Sequence, residues 1–224
     1  MKHIIILLLT FYSALMISQE AVLPEGFVFL EDIIPDIEVE LRYAGTNNFV
    51  GAAVDGYEAG KCVISLDAAI ALRNLQEELY NYNLCLKVFD AYRPQTAVDH
   101  FVRWAEDLND TINKQQFYPD VNKAHLFEEG YIASSSRHSS GSTLDLTLVD
   151  GSNGIELDMG SPWDYFGERS WVDFEGITEQ QKANRQLLQN LMAKHGFRNY
   201  PKEWWHFTLH QEPYAGQYFD FLVE

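Results

Sequence analysis

Apolar positions along the chain set the first expectations. Over Ser65–Tyr82, Leu66, Ala69, Ile70, Leu75 and Leu79 recur at helical spacing and predict an amphipathic helix. Pro94–Leu108 predicts a second. Proline suits a first helical position, and Val98, Phe101, Val102 and Leu108 supply the apolar stripe. A third runs from Thr178 to His195, opened by a Thr-x-x-Gln capping box and closed before Gly196. Its inward face is Leu187, Leu188, Leu191 and Met192. Shorter runs bounded by turn residues predict strands at Leu86–Phe89, Leu144–Val149 and Trp205–Leu209. Helices and strands are interspersed without a βαβ rhythm, and no Gly-rich phosphate loop follows a strand. The expected class is therefore α+β, in a single domain, and not a doubly wound sheet. Val149 to Gly176, rich in Gly, Asp and Ser, predicts a long irregular excursion, a feature that is often functional.

One apolar run fits none of these elements. Lys2 and His3 precede Ile4–Ile17, which is followed by Ser18-Gln19-Glu20. A basic start, a short apolar stretch and a small residue at its end predict a secretory signal peptide. The run is shorter than the ~20 residues that span a bilayer. The expected boundaries are thus a leader over 1–18 and one domain over 19–224, with the protein exported, periplasmic or secreted. Met16 is bulky for its place before the cut.

Charge changes the range of partners. The chain carries 33 acidic and 16 basic residues, a formal charge of -17. Nucleic acid and anionic membrane surfaces repel such a chain, so neither is an expected partner. A local cation inside a pocket can still dominate there. Cys62 and Cys85 are the only cysteines. In an exported protein they could form a disulfide or remain buried thiols. Their spacing does not suggest zinc ligation.

Two segments carry candidate chemistry. In Ser136-Arg137-His138-Ser139-Ser140-Gly141-Ser142-Thr143-Leu144-Asp145, a loop histidine precedes a sharp turn at Gly141 and a strand carboxylate. Leu144, Leu146 and Leu148 face one way on that strand; Asp145 and Thr147 face the other. In Pro201-Lys202-Glu203-Trp204-Trp205-His206, the histidine sits among large aromatics. Glu203 lies three residues earlier, on the opposite face of a regular strand, so it must approach His206 from the bend after Pro201. Alone, the first segment reads more readily as a surface loop with an ordinary amphipathic strand, and the second reads also as a core histidine in an aromatic strand. Together they form a coherent zinc set, three ligands and a free carboxylate. Arg93, in Asp90-Ala91-Tyr92-Arg93-Pro94, could donate to an oxyanion or pair with Asp90. His100, His125, His195 and His210 read as surface or packing residues, and His3 falls in the leader.

Taken in order, these segments resemble the D-alanyl-D-alanine dipeptidases. The resemblance also covers Leu41-Arg42-Tyr43-Ala44, Asn47-Asn48-Phe49, Val54-Asp55-Gly56-Tyr57, Asp145-Leu146-Thr147 and Met159-Gly160-Ser161 with Asp164. It continues through Glu212-Pro213-Tyr214 and Tyr218-Phe219-Asp220-Phe221. It implies a hedgehog-like D,D-peptidase fold, an antiparallel sheet with flanking helices. It also implies one zinc ion held by His138, Asp145 and His206, with Glu203 as general base and Arg93 stabilising the oxyanion. Ser136 and Asp164 would hold the ammonium of a free dipeptide, D-Ala-D-Ala. D,D-carboxypeptidase action on stem peptides, or a non-catalytic zinc or wall-binding module, are the neighbouring readings. The leader would place the activity outside the cytoplasm, in turnover of wall-derived dipeptide.

Overall fold

A computed structural model describes residues 23–224. The expected leader and its cleavage site lie outside the described residues. The chain opens with a short strand β1 (Phe27–Phe29), a one-turn helix α1 (Leu30–Ile33) and β2 (Glu38–Val39). Then come β3 (Val63–Ser65), α2 (Leu66–Leu79), β4 (Leu84–Asp90), α3 (Gln95–Glu106) and α4 (Lys114–Phe117). The remaining elements are β5 (Thr143–Asp150), α5 (Glu179–Lys194), β6 (Phe197–Tyr200) and β7 (Glu203–Leu209).

Five strands form the main sheet in the order β2-β4-β5-β7-β6, while β1 and β3 pair separately. The expected α+β class holds, although the sheet is mixed: β2 runs parallel to β4 and every other pair is antiparallel. Helix α2 packs on β4 and α5 on β6 and β7. Strand β5 lies at the centre and is buried on both faces through Val149. Its Leu144, Leu146 and Leu148 join one continuous core with Leu72, Leu86, Leu188 and Met192. Among the described residues, no helix is long and apolar enough to cross a membrane.

The three long helices form where expected, with corrected faces. The inward stripe of α2 is Ala68, Ala69, Leu72, Leu75 and Leu79, with Gln76. Leu66 and Ile70 instead point outward, 40% and 38% exposed. Gln76 is buried because its Oε1 accepts the backbone N–H of Leu86 at 2.9 Å, so a polar side chain competes successfully for the core face. Pro94 is the residue before α3, with ψ 148, and not its first helical residue; Leu108 lies beyond its end and is exposed. In α5 the Thr178–Gln181 capping box is present. Leu187 faces solvent while Asn184 and Arg185 take inward positions. Cys62 and Cys85 are both free thiols. The short strands β1, β2, β3 and β6 were not expected from the apolar pattern.

The excursion after β5 is irregular, as its composition predicts, but it is held firmly. Arg185 reaches from α5 and donates to three of its carbonyls: Met159 at 2.6 Å, Trp171 at 2.6 Å and Arg169 at 2.7 Å. One buried guanidinium thus satisfies backbone acceptors that a loop would otherwise expose to apolar surroundings.

Candidate active site

Register builds the centre of the site. Asp145 on β5 pairs directly with His206 on β7 and, on its other side, with Asp90 on β4. Side chains opposite one another share a face, so a carboxylate and an imidazole meet with no loop to aim them. His206 Nδ1 lies 3.1 Å from Asp145 Oδ1.

His138 arrives from a 3-10 turn, Arg137–Ser140, that leads into β5. Ser136 caps this turn, its Oγ accepting the backbone N–H of His138 at 3.3 Å. Gly141 ends it at φ +81, and a Cβ there would fall 2.2 Å from Phe27 Cε1. Only glycine suits that backbone and that space. The Nδ1 of His138 donates to the Ala91 carbonyl at 2.7 Å. This fixes the tautomer and leaves the Nε2 lone pair free, 3.4 Å from Asp145 Oδ1 and 3.3 Å from His206 Nδ1. The C-terminal segment braces the turn. Phe219 N–H donates to the Ser139 carbonyl at 2.9 Å, and Ser140 Oγ donates to Glu212 at 2.8 Å.

One donor atom each from His138, Asp145 and His206 lies within 4.8 Å of the other two. Asp145 Oδ2 accepts from Trp163 Nε1 at 3.2 Å, but Oδ1 is buried without a hydrogen bond. An orphaned buried carboxylate oxygen is costly. A cation between the two imidazoles and this oxygen would satisfy it, so the residues present fit a divalent metal with N and O preferences. Burial pushes the Asp145 carboxyl up, yet the two adjacent histidines outweigh it and hold it far below the usual range. Burial depresses His138, reinforced by Arg93. For His206, burial is overcome by Asp145, and the imidazole is raised.

Glu203 begins β7, and its Oε2 lies 3.3 Å from His206 Nδ1. A residue three positions away on a regular strand would face the other way. The bend expected after Pro201 is an irregularity of the β6–β7 ladder, in which Asn199 pairs with Phe207 but the next residue, Tyr200, pairs with Glu203. Asn199 stabilises it by donating to the carbonyls of both Glu203 and His206, each at 2.9 Å. Burial, opposed by His206, pushes the Glu203 carboxyl up to about 7.

Arg93 realises both of its expected alternatives. It pairs with Asp90, Nε and Nη2 donating to the same Oδ2 at 2.9 and 2.7 Å. It also lines the cavity beside the three donors, together with Ser136, Asp164 and Glu203. That cavity measures about 280 Å³, at the small end of ligand pockets, which run from about 300 to 1,000 Å³. Asp164 comes from the excursion, in a left-handed conformation at φ 63. Such strain in a non-glycine residue clusters at functional positions. Its Oδ2 accepts from Tyr43 Oη at 2.8 Å. Burial nonetheless drives its carboxyl well above the ordinary range.

The other histidines stay apart from this cluster. His100 pairs with Asp55, His125 with Glu128 and His195 with Glu78, each singly, and His210 is exposed. Tyr43, Trp163, Asn199 and the Ala91 carbonyl support the site although the sequence did not point to them for it, and Asp90 was expected only as a partner of Arg93. The segments containing Asp90, Ala91 and Tyr43 carried the resemblance, but Trp163 and Asn199 left no spacing signal.

Two imidazoles and a carboxylate converge in a small cavity beside a partly buried glutamate and arginine, a donor set that fits a metal-dependent hydrolase. The chain belongs to the peptidase M15 family of D-Ala-D-Ala dipeptidases, whose model matches residues 24–224. It is 40% identical over 198 residues to a D-alanyl-D-alanine dipeptidase of Enterococcus faecalis, covering 88% of this chain and 98% of that one. A Streptomyces coelicolor protein of the same description is 38% identical over 88% of this chain and 98% of its own. A far more distant likeness is to a vancomycin-resistance D,D-pentapeptidase in complex with Zn(II). It shows 14% identity and a TM-score of 0.41 over 70% of this chain and 78% of that one.

Proposed function

We propose that this protein is a zinc-dependent dipeptidase that hydrolyses free D-Ala-D-Ala to two D-alanines. The observation that carries the reading is the convergence of His138 Nε2, Asp145 Oδ1 and His206 Nδ1, with the carboxylate oxygen otherwise unpaired. These three residues would hold one zinc ion, which supplies an acidified water and polarises a carbonyl when bound. Glu203, beside His206, takes a proton from the attacking water and returns it to the leaving amine. Water thus contributes hydroxyl to the acyl carbon and hydrogen to the nitrogen as the C–N bond breaks. Arg93 donates to the oxygen on which charge develops. Asp164, with Ser136 also at the cavity wall, receives the substrate ammonium. A blocked N-terminus would leave Asp164 buried without its cation, a penalty that favours free dipeptides.

The domain would comprise residues 19–224, preceded by a cleaved leader over 1–18. The site would then work in the periplasm or outside the cell, on dipeptide released during wall turnover. The decisive experiment is metal analysis with paired assays of free and N-acylated D-Ala-D-Ala on one preparation. About one zinc per chain and preference for the free dipeptide are expected; preference for the acylated substrate would overturn the reading. Cell fractionation and N-terminal sequencing test the location, and uncleaved protein in the cytosol would refute it.

A further inference from the structure

Asp90 is fully buried and lies outside the cavity wall, yet it stands directly opposite Asp145 in the β4–β5 ladder. Like charges at paired positions destabilise a sheet, so a second carboxylate is an expensive choice there unless a cation is held between them. Arg93 is that cation, with Nη2 at 2.7 Å from Asp90 Oδ2 and 3.9 Å from Asp145 Oδ2. The carboxylate of Asp90 is itself fixed, because Tyr57 Oη donates to its other oxygen at 2.6 Å. The rings of Tyr43 and Phe101 lie 5.2 and 5.1 Å from the guanidinium carbon, restricting its swing. Both bonds to Asp90 use Nε and Nη2, and no hydrogen bond engages Nη1 among the described residues.

The geometry points to Asp90, steadied by Tyr57, as the positioning residue that presents the free edge of Arg93 to the cavity. This rests on the role given to Arg93 above. Asp90 touches neither the substrate space nor the substrate; His138 Nδ1 lies 3.5 Å from its Oδ2 but gives its hydrogen to the Ala91 carbonyl at 2.7 Å, so Asp90 acts through the arginine. A purely structural ion pair would affect stability alone, whereas a positioning pair also governs turnover in protein that remains folded.

The test uses the full-length metal-loaded protein. Removing one oxyanion donor costs about 10²–10³ in kcat, and Arg93→Ala should fall in that range. Asp90→Asn should lower kcat by about tenfold or more, leaving KM and the metal content per chain near wild type. Guanidinium chloride at non-denaturing concentration should restore part of the activity of Arg93→Ala, because Asp90 still offers its carboxylate. It should not restore Arg93→Ala/Asp90→Asn. Full kcat in Arg93→Ala would overturn the reading of the arginine itself. A crippled Arg93→Ala beside a folded Asp90→Asn with wild-type kcat would overturn only the role of Asp90, as would equal rescue of the double variant. If Asp90→Asn does not fold, Tyr57→Phe removes only the hydroxyl that steadies the carboxylate. It should lower kcat several-fold, and unchanged kcat there would refute the proposal.

Discussion

The strand-borne and loop-borne parts of the site are placed by different means. Asp145 and His206 face each other because β5 and β7 pair in that register. Their shared face comes from the ladder, and the bonds from Trp163 to Asp145 and from Asn199 to the His206 carbonyl only trim it. His138, Arg93 and Asp164 stand on irregular backbone, and each has a buried partner: the Ala91 carbonyl, Asp90 and Tyr43. Sheet register aims many side chains at once, whereas a loop residue needs its own hydrogen bond. The loop half should therefore be sensitive to changes at residues that touch no substrate.

The largest contrast is between a donor and the base. His138→Ala should abolish stoichiometric metal binding and with it nearly all turnover, while Glu203→Gln should keep the metal and lose about 10²–10⁴ in kcat. Metal analysis beside kinetics separates them, and near-normal turnover in Glu203→Gln would refute its role. Gly141→Ala strikes the loop half. With φ +81 and Phe27 in the way, it should cost about 1–3 kcal/mol in chemical denaturation and weaken metal affinity through His138. Asn199→Ala strikes the strand half at its irregular point. Releasing the carbonyls of Glu203 and His206 should cost about 1–3 kcal/mol and lower kcat more than KM. A regular β6–β7 ladder without the irregularity would give the opposite, an unchanged kcat.

The smallest expected effect is a pH trend in chelator-treated protein. Glu203 is raised to about 7, so between its unfolded value and 7 the folded state binds the extra proton. Stability must then decline as pH rises through that window. His206 is also raised; its contribution, present at low pH, is lost as pH climbs through its folded value, in the same direction. His138, depressed by burial, works in the opposite direction, so the readout is the difference between variants: from pH 5 to 7.5 the melting temperature of Glu203→Gln should fall less, or rise more, than that of the wild type. An equally steep slope in that variant would show the trend arises elsewhere.

Much of this site was legible along the chain, because the strand alternation around Asp145 already separated it from Leu144 and Leu146. The capping box of α5 followed from local pattern alone, whereas the two donor segments, each ambiguous by itself, were joined by their combined chemistry and by the resemblance. The α2 face did not follow from pattern, since the buried hydrogen bond of Gln76 to Leu86 is invisible to a hydrophobic periodicity. The approach of Glu203 to His206 was legible only as a required bend after Pro201; the Asn199 hydrogen bonds that hold it, from a neighbouring strand, were not. Arg185 reads as an ordinary helix-surface residue; only the loop folded over it makes it an inward one. In each case a long-range polar contact overrode a local preference.

The row formed by Asp90, Asp145 and His206 across three adjacent strands also has a consequence for assembly. These residues are far apart in sequence, and such non-local pairings form late and slowly in folding. A chain with β5 slipped by one residue would present Leu144 or Leu146 in place of Asp145. It could be compact and still grip nothing. Any ligand that binds the correct row selects the correct pairing by mass action, so ligand retention should report proofread strand register as directly as it reports chemistry.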